Sequence, residues 1–312
     1  MMKHPASVRL LLPVIALIAT LFSSVSAQHD TLHFLVISDM GGFASAEQKA
    51  VAAAMGKEAD RIRASFVVTG GDNYHETGIP SENDPRWRTE FEEIYAAPSL
   101  QVPWYPTLGN HDYRGSVEAE LRYSRKSPRW KLFSRYYAQH VPFGSGDTLL
   151  IVHIDTPPFV REYHADDAKY HVAGQDTAAQ LRWIDSVLAV SHARWKIVVG
   201  HHPVYSSAPK HGDTDELIAS LLPLLKKRMV DVYISGHDHT MQHLQRDGME
   251  FLLCGTGAKS RIVERREETI FASSAFGFLS VEAHRTACTF SFIDTSGAVL
   301  HRLTLTAGEG KE

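Results

Sequence analysis

Five short segments of the chain combine Asp, Asn and His side chains with glycines. They are Ser-Asp-Met-Gly at 38–41, Gly-Asp-Asn-Tyr-His at 71–75, Gly-Asn-His-Asp at 109–112, Gly-His-His-Pro at 200–203 and Gly-His-Asp-His at 236–239. Carboxylates, imidazoles and a carboxamide are suitable ligands for Fe, Mn or Zn. A carboxylate can bridge two such ions, and a pair of ions about 3.5–4 Å apart can activate water for attack on a phosphate ester. The segments therefore predict a two-metal hydrolytic site.

Each of these segments alone has an ordinary structural explanation. An Asp after a strand is usually a turn former or a helix cap. The chain also has 18 histidines, so some fall near strand ends by chance. Asparagine is different, because two of the three in the chain, Asn73 and Asn110, lie within the segments. Five such segments in this order indicate a metal site much more strongly than any one of them.

All five segments follow predicted β-strands. Buried apolar runs predict strands at residues 32–37, 65–69, 104–108, 148–155, 195–199 and 230–235. Ala-rich composition predicts a helix at residues 44–63, and helical periodicity predicts one at 176–190. Helices are also expected at residues 86–96 and 213–228, the last kinked by Pro223. Strands that alternate with helices favour an α/β domain with a largely parallel sheet, in which ligands collect at the carboxyl ends of the strands.

After residue 235 the pattern contains only strands. Strand-like composition is found at residues 250–254, 275–283, 288–293 and 299–305. We expect these terminal strands to form a second sheet packed on the first. The sequence has no internal repeat, low-complexity tract or Gly/Ser linker, so residues 28–312 should form a single catalytic domain.

The first 27 residues have the organisation of a secretory signal peptide. Lys3 and Arg9 precede an apolar run at residues 10–22, and small residues follow up to Ala27. The run is shorter than the roughly 20 residues of a membrane span, so an uncleaved anchor is the less favoured alternative. We expect cleavage after Ala27, a secreted or periplasmic location and no stable membrane anchor.

Charge and cysteine content exclude some classes of protein and leave one question open. The formal net charge of -4 gives no support for a nucleic-acid-binding surface, which is normally basic. Cys254 and Cys288 are the two cysteines of the chain, and both lie in strand-like stretches. Secretion would permit a disulfide between them, but two buried free thiols are at least as well supported.

The five segments together resemble those of the calcineurin-like metallophosphoesterase superfamily, and within it the small tartrate-resistant purple acid phosphatases. Other stretches in the same order add to the similarity, among them Phe-Glu-Glu-Ile-Tyr at 91–95, Val-Pro-Trp-Tyr at 102–105 and Ser-Pro-Arg-Trp at 127–130. The similarity covers nearly the whole chain after residue 27 and is weakest at 156–175 and after 258. It implies a four-layer αββα sandwich of two mixed sheets flanked by helices.

The resemblance also implies which side chains bind two metal ions. Asp39 and His239 would bind the first ion, and Asp72 would bridge both. The second ion would be bound by Asn110, His201 and His237. At least one of the ions would be iron, with iron, zinc or manganese as the other.

Three further roles follow from the same resemblance. His111 would bind the phosphate and assist the leaving group, and Asp112 could orient the ring of His111. His211 matches a second site histidine that helps to protonate the leaving alkoxide, although a solvated loop residue is the alternative. Residues 157–175 correspond to a loop that covers the metals in this family, so a lid is a further hypothesis for that stretch.

One position departs from the family pattern. The family places a Tyr that binds ferric iron, and gives the purple colour, where this chain has His75, with Tyr74 at the preceding aromatic position. Other superfamily members instead carry His two residues after the first Asp, where this chain has Gly41. We hypothesise that His75 is a ligand as a neutral imidazole, the alternative being water at that position. The site would then be less committed to iron, and the protein would not be purple.

The resemblance implies a secreted, acid phosphatase-like phosphomonoesterase in which a metal-activated hydroxide attacks phosphorus directly. The implied partners are a phosphate-ester substrate and the phosphate product, for a monomeric chain that binds no nucleic acid. A phosphodiesterase or nucleotidase acting at the same site is the alternative function. A non-catalytic metal- or phosphate-binding protein is a weaker alternative, because the ligand set and His111 are all present.

Overall fold

The computed structural model describes residues 30–307. The predicted signal peptide, residues 1–27, lies outside the described residues. Within them the chain forms one six-stranded and one seven-stranded sheet. The strands are β1 (Thr31–Ile37), β2 (Val67–Thr69), β3 (Trp104–Pro106), β4 (Tyr137–Phe143), β5 (Asp147–His153), β6 (Trp195–Val199), β7 (Val232–Ser235), β8 (Met241–Arg246), β9 (Met249–Cys254), β10 (Thr269–Ser273), β11 (Gly277–His284), β12 (Ala287–Asp294) and β13 (Val299–Thr306).

The helices vary from one turn to almost five. They are α1 (Ala46–Ile62), α2 (Asn110–Tyr113), α3 (Val117–Tyr123), α4 (Arg161–Ala165), α5 (Asp167–Tyr170), α6 (Thr177–Ala189), α7 (Asp215–Ser220) and α8 (Leu222–Lys227). The helix predicted at 86–96 is reduced to a π-helical turn at Trp87–Glu92. The helix predicted at 213–228 divides into α7 and α8, since Pro223 near its middle has no backbone N–H to continue the ladder.

The six-stranded sheet has the order β13-β12-β11-β1-β2-β3. Strands β1, β2 and β3 are parallel, whereas β11 pairs with the other edge of β1 in antiparallel orientation. The expectation that the terminal strands form a separate second sheet was therefore wrong, because β11, β12 and β13 extend the sheet of β1. A strand pattern reveals which face is buried but not which edge the strand will join.

The seven-stranded sheet is built from the middle of the chain, in the order β10-β8-β9-β7-β6-β5-β4. Its centre is parallel, because β5, β6, β7 and β9 all run in the same direction. Antiparallel strands β4 and β8 border this centre. Both sheets are therefore mixed, as the resemblance implied.

The two sheets pack face to face, with helices outside. Val36 of β1 and Val199 of β6 lie in the apolar core between the sheets. The opposite face of the first sheet packs on α1 through residues such as Met55, and that of the second packs on α6 through residues such as Ile184. This is the four-layer αββα sandwich that the resemblance implied.

The fold brings the five polar segments to one end of the sandwich. Three follow the adjacent parallel strands β1, β2 and β3, and two follow the adjacent parallel strands β6 and β7 of the facing sheet. Because parallel strands share a carboxyl edge, the segments of both sheets meet there.

Two other expectations from the sequence concern the cysteines and membrane-spanning helices. Cys254 and Cys288 are both buried and unpaired, so the free-thiol alternative is the one the structure supports. Among residues 30–307, no helix is long and apolar enough to span a bilayer.

Candidate metal centre

Four side chains from three of the segments converge on one buried point. The ligand-type atoms of Asp39, Asp72, His75 and His239 all lie within 4.8 Å of one another. Nε2 of His239 is 3.3 Å from Oδ1 of Asp39. Nε2 of His75 lies 3.9 Å from the same Asp39 oxygen and 3.7 Å from Oδ2 of Asp72. All four side chains are buried, so the point they surround is enclosed by protein.

Two of these atoms lack the partner that a buried polar atom normally has. Oδ1 of Asp39 and Nε2 of His75 form no hydrogen bond to any described residue, although both are buried. Nδ1 of His75 contacts the carbonyl oxygen of Gly41, so this nitrogen carries the proton and Nε2 is left with its lone pair. Burial lowers the pKa of His75 to about 4, which keeps the ring neutral. An anionic oxygen and a free imidazole lone pair that face one point are suitable ligands for a transition-metal cation.

A second group lies on the other side of Asp72. Nε2 of His201 is 3.1 Å from Oδ1 of Asn110, 3.3 Å from Nδ1 of His237 and 3.4 Å from Oδ1 of Asp72. Nδ1 of His201 lies 3.0 Å from the carbonyl oxygen of Gly70, which directs Nε2 toward the group. Burial opposes a charged His201 ring, but the Asp72 carboxylate outweighs it and raises the pKa of His201 to about 9. The space between these four side chains therefore also favours a positively charged group.

Asp72 connects the two groups through its two carboxylate oxygens. Oδ2 faces His75, and Oδ1 faces His201. A carboxylate in this arrangement can bridge two metal ions. The structure thus brings together every side chain that was predicted to bind metal: Asp39, Asp72, His75, Asn110, His201, His237 and His239.

The backbone at the site is held in an unusual conformation. Asp39, Asp72, His237 and His239 all have φ between 51° and 70°, in the left-handed region. Such residues cost about 1–3 kcal/mol each and persist where the surrounding structure over-determines them, often at functional sites. Close packing adds to this, because a Cβ at Gly109 would collide with the carboxylate of Asp72.

The two predicted acid–base histidines border the same cavity. His111 donates its backbone N–H to Oδ1 of Asp72 at 2.9 Å, and its Nε2 lies 3.9 Å from Oδ2 of Asp72. The ring centroid of His211 is 4.3 Å from that of His237, and part of the His211 residue remains exposed to solvent. Both rings therefore lie where they could reach a bound ester.

The expected contact between Asp112 and the ring of His111 is not made. Nδ1 of His111 lies 3.0 Å from the carbonyl oxygen of Glu76 instead. The buried carboxylate of Asp112 accepts hydrogen bonds from the backbone N–H groups of Gly109 at 2.8 Å, Tyr74 at 3.1 Å and Asn73 at 3.3 Å. Since Asp112 lies at the start of a short helix and points back into the protein, it joins two metal-binding loops and does not orient His111.

Two residues beside the ligands face away from the metal points. His202 lies close to His201 and His237, but its Nδ1 contacts Thr156 Oγ1 and its Nε2 contacts the hydroxyl of Tyr163, each at 2.9 Å. Both ring nitrogens are thus occupied. The side chain of Tyr74 is buried against Trp87 with ring centroids 5.0 Å apart, so it does not occupy the position of a shifted tyrosine ligand.

The metal points open into a cavity of about 290 Å³. Its lining residues are Asp72, Glu76, Asn110, His111, Arg114, Glu162, Tyr163, Tyr170, Lys210, His211, His237, His239, Lys259 and Arg261. The two tyrosines belong to the stretch that was predicted to cover the site. The sequence did not identify these tyrosines or the four cationic residues, because among them only Lys210 is adjacent to a predicted site residue.

Comparisons with known proteins agree with this geometry. The model of the family described as "Calcineurin-like phosphoesterase" matches residues 32–241. The chain is 39% identical over 287 residues to Purple acid phosphatase 17 of Arabidopsis thaliana, with 87% of this chain and 83% of the relative covered. It is 34% identical over 255 residues to Tartrate-resistant acid phosphatase type 5 of Sus scrofa, covering 77% and 74% of the two chains.

A solved structure has the same fold. It is described as "GAP50 the anchor in the inner membrane complex of Plasmodium", and it superposes with a TM-score of 0.78 and 26% identity, covering 89% of this chain and 90% of its own. The family match spans more than half of the chain, and the phosphatase relatives are aligned over most of their length. The chain therefore belongs to the calcineurin-like phosphoesterases, with purple acid phosphatases and tartrate-resistant acid phosphatase type 5 among its homologues.

Proposed function

We propose that the protein is a phosphomonoesterase that hydrolyses phosphate esters at a dinuclear metal centre. The observation that carries this proposal is the single carboxylate of Asp72 between two groups of ligand atoms, beside a cavity that His111 and His211 also border. The first ion would be held by Asp39, Asp72, His75 and His239. The second would be held by Asp72, Asn110, His201 and His237. Iron is expected for at least one ion, and iron, zinc or manganese for the other.

The ions, when bound, would supply an activated water as nucleophile and neutralise charge on the phosphate. The protein's own residues would do the rest. Nδ1 of His111 lies 3.0 Å from the Glu76 carbonyl oxygen and 3.1 Å from Nη1 of Arg114, so Nε2 is the ring nitrogen left to face a bound ester, where it would donate to a phosphoryl oxygen in its protonated form. His211, whose ring centroid lies 4.3 Å from that of the ligand histidine His237, would hold the proton for the departing alkoxide.

A phosphodiesterase or nucleotidase could use the same groups. A binding role is the other candidate, since one structural relative is described as an anchor. The complete ligand set and the presence of His111 favour an enzyme for this chain. Partial enclosure of the cavity by Tyr163 and Tyr170 favours a substrate with one ester group over a bulkier diester.

The test is hydrolysis of p-nitrophenyl phosphate against bis-p-nitrophenyl phosphate by protein reconstituted with iron, zinc or manganese. We expect metal-dependent turnover that is much faster with the monoester and is lost in Asp72→Ala. Asp215→Asn, a change of an exposed Asp at the start of α7, is the matched control. Turnover by Asp72→Ala at the wild-type rate would exclude the two-metal mechanism.

We also propose that the protein is exported and acts as a monomer. The support for export is the pattern of the first 27 residues, with Ala27 at a cleavage position. Expression of the full chain in a secreting host should give a mature protein that begins at Gln28, as read by N-terminal sequencing, and light scattering should give the monomer mass. A product that retains Met1 would contradict export by this route.

A further inference from the structure

The cavity above the metal points has an excess of positive side chains. Arg114, Lys210, Lys259 and Arg261 all line it, whereas Glu76 and Glu162 are the carboxylates of its wall apart from Asp72. Phosphate itself is an anion, so part of this charge serves any phosphate ester. A cation is available to a ligand only if it does not already form a hydrogen bond or an ion pair with another protein group.

Two of the four cations have partners within the wall. Nζ of Lys259 is 3.0 Å from Oε1 of Glu76, which neutralises it. Arg114 places Nη1 3.1 Å from Nδ1 of His111 and Nη2 3.0 Å from the hydroxyl of Tyr170, and its guanidinium lies over the Tyr170 ring. These two residues therefore organise the wall of the cavity.

Arg261 interacts at longer range with the buried carboxylate of Asp238, but it forms no ion pair with that carboxylate. Across residues 30–307 its guanidinium forms no hydrogen bond and no ion pair, and Nη1 is buried without a partner. A buried donor left in this state costs free energy that a bound anion would recover. Arg261 is nevertheless fixed in place, because its backbone N–H donates to the carbonyl of His239 at 2.9 Å and its carbonyl accepts from Ser274 Oγ at 2.6 Å.

Lys210 lines the same cavity as Arg261 and directly precedes His211 in the chain. Partial burial lowers the pKa of His211 to about 4, and the positive charges of Arg261 and Lys210 add to this effect, so both cations are close to His211. Lys210 is exposed and, within the described chain, forms no ion pair. The two unpaired cations thus line the cavity near the histidine that would protonate the leaving group.

We infer that the site prefers phosphate esters whose alcohol half carries a second anionic group, and that Arg261, assisted by Lys210, recognises that group. This rests on the proposed function, in which His211 faces the alcohol half of the ester. The planar fork of a guanidinium matches a carboxylate or a second phosphate with two parallel hydrogen bonds. Arg261 is therefore a specificity-determining residue, separate from the metal ligands.

Binding of phosphonates tests this independently of turnover, because their C–P bond is not an ester. Propylphosphonate, 3-phosphonopropionate and propane-1,3-bisphosphonate present a methyl, a carboxylate and a second phosphonate at the far end. Titration calorimetry with the metal-loaded protein should give the two ligands that carry a second anionic group affinities about tenfold higher than propylphosphonate, as expected for one charge-assisted bidentate contact. The comparison between them identifies which anion the site accepts better.

Variants locate the effect. Arg261→Met should reduce the preference to about unity, and Arg261→Lys should keep part of it, since the charge remains but the fork does not. Arg265→Met removes an exposed Arg of the same segment that does not line the cavity, and it should keep the wild-type preference. Thermal unfolding of each variant checks that it is folded.

The inference would be overturned by equal affinities of the three ligands for the wild-type protein, or by an undiminished preference in Arg261→Met. An equal loss of preference in Arg265→Met would also overturn it, because the effect would then come from the overall field. Failure to hydrolyse p-nitrophenyl phosphate, with the binding preference intact, would remove the proposed function and leave this recognition standing. Hydrolysis of p-nitrophenyl phosphate without the binding preference would support the proposed function and remove this inference.

Discussion

Nε2 of His75 lies 3.7 Å from Oδ2 of Asp72, with both side chains buried. The sequence resemblance implies that the family pattern has a tyrosine at the position of His75, so a neutral imidazole would face the metal point in place of a phenolate. A phenolate stabilises Fe(III) more strongly and gives an intense visible charge-transfer band. We propose that His75 is a metal ligand and that the site is colourless in consequence.

Replacing His75 should weaken the binding of one ion. In His75→Ala we expect the affinity for the ion held by Asp39 and His239 to fall at least about 100-fold, since even outer-shell changes cost 10–100-fold. After dialysis against a weak chelator, metal analysis of His75→Ala should therefore find close to one ion per chain. Two tightly held ions in His75→Ala would instead support a water molecule in this position.

The matched experiment restores the phenolate. His75→Tyr, loaded with ferric iron, should develop an absorption band in the visible that wild-type protein lacks, because a phenolate then binds the iron. Tyr74→Phe is the control, since Tyr74 is buried against Trp87 and should not contribute colour. A purple wild-type protein whose colour disappears in Tyr74→Phe would show that Tyr74 is the ligand.

Asp112 should matter for stability more than for proton transfer. Its carboxylate accepts backbone hydrogen bonds from Asn73, Tyr74 and Gly109, so Asp112→Ala leaves three buried donors without a partner. We expect a loss of about 3 kcal/mol or more in the free energy of unfolding, together with weaker metal binding. Chemical denaturation measures the free energy of unfolding. A variant of wild-type stability that has lost only turnover would contradict this account.

The strand order and the metal ligands differ in how far the sequence predicts them. Asp39 and His201 could be predicted because each directly follows an apolar strand, which is a local pattern. Strand β8 was not predicted, because its polar Gln242 and His243 interrupt the apolar run. In the structure Gln242 is buried and accepts from the backbone N–H of Ser207, a contact with a distant loop that no local pattern contains.

The same reasoning explains which site residues were missed. Contacts of Asp112 depend on how the loop after β2 packs on the loop after β3, which spacing alone does not specify. Arg261 lies in an irregular segment without a motif, and it reaches the site because its backbone N–H donates to the carbonyl of His239. Residues of this kind become visible only when the tertiary contacts are known.

The free energy of unfolding should fall as the pH is lowered from about 6.5, in part because of His153. Burial lowers the pKa of His153 to about 3, with Nδ1 3.0 Å from Thr107 Oγ1 and Nε2 2.8 Å from Gln139 Oε1. The unfolded chain takes up a proton as the pH falls below 6.5, and the folded chain does not until about pH 3. Through His153, each fall of one pH unit between about 6.5 and 3 therefore lowers the free energy of unfolding by about 1.4 kcal/mol.

Urea denaturation of metal-free protein at pH 7 and pH 5 measures the effect. His153→Gln keeps a donor and an acceptor for its neighbours but does not titrate, so the loss of stability between the two pH values should be about 2 kcal/mol smaller than in wild type. His140→Gln, at an exposed position of β4, should retain the wild-type dependence. Identical pH dependence in wild type and His153→Gln would mean that His153 is not the group responsible.

Two tyrosines of the 157–175 stretch attach it to the site, so it should restrict access as a lid. The hydroxyl of Tyr163 lies 2.9 Å from Nε2 of His202, that of Tyr170 lies 3.0 Å from Nη2 of Arg114, and the two rings stack with centroids 4.2 Å apart. Replacing both tyrosines by Ala removes these hydrogen bonds and two of the aromatic side chains that line the cavity. We expect kcat/KM for a phosphopeptide to rise severalfold relative to that for phenyl phosphate. Tyr170→Phe keeps the ring and should raise this ratio much less, while an unchanged ratio in the double variant would exclude a lid.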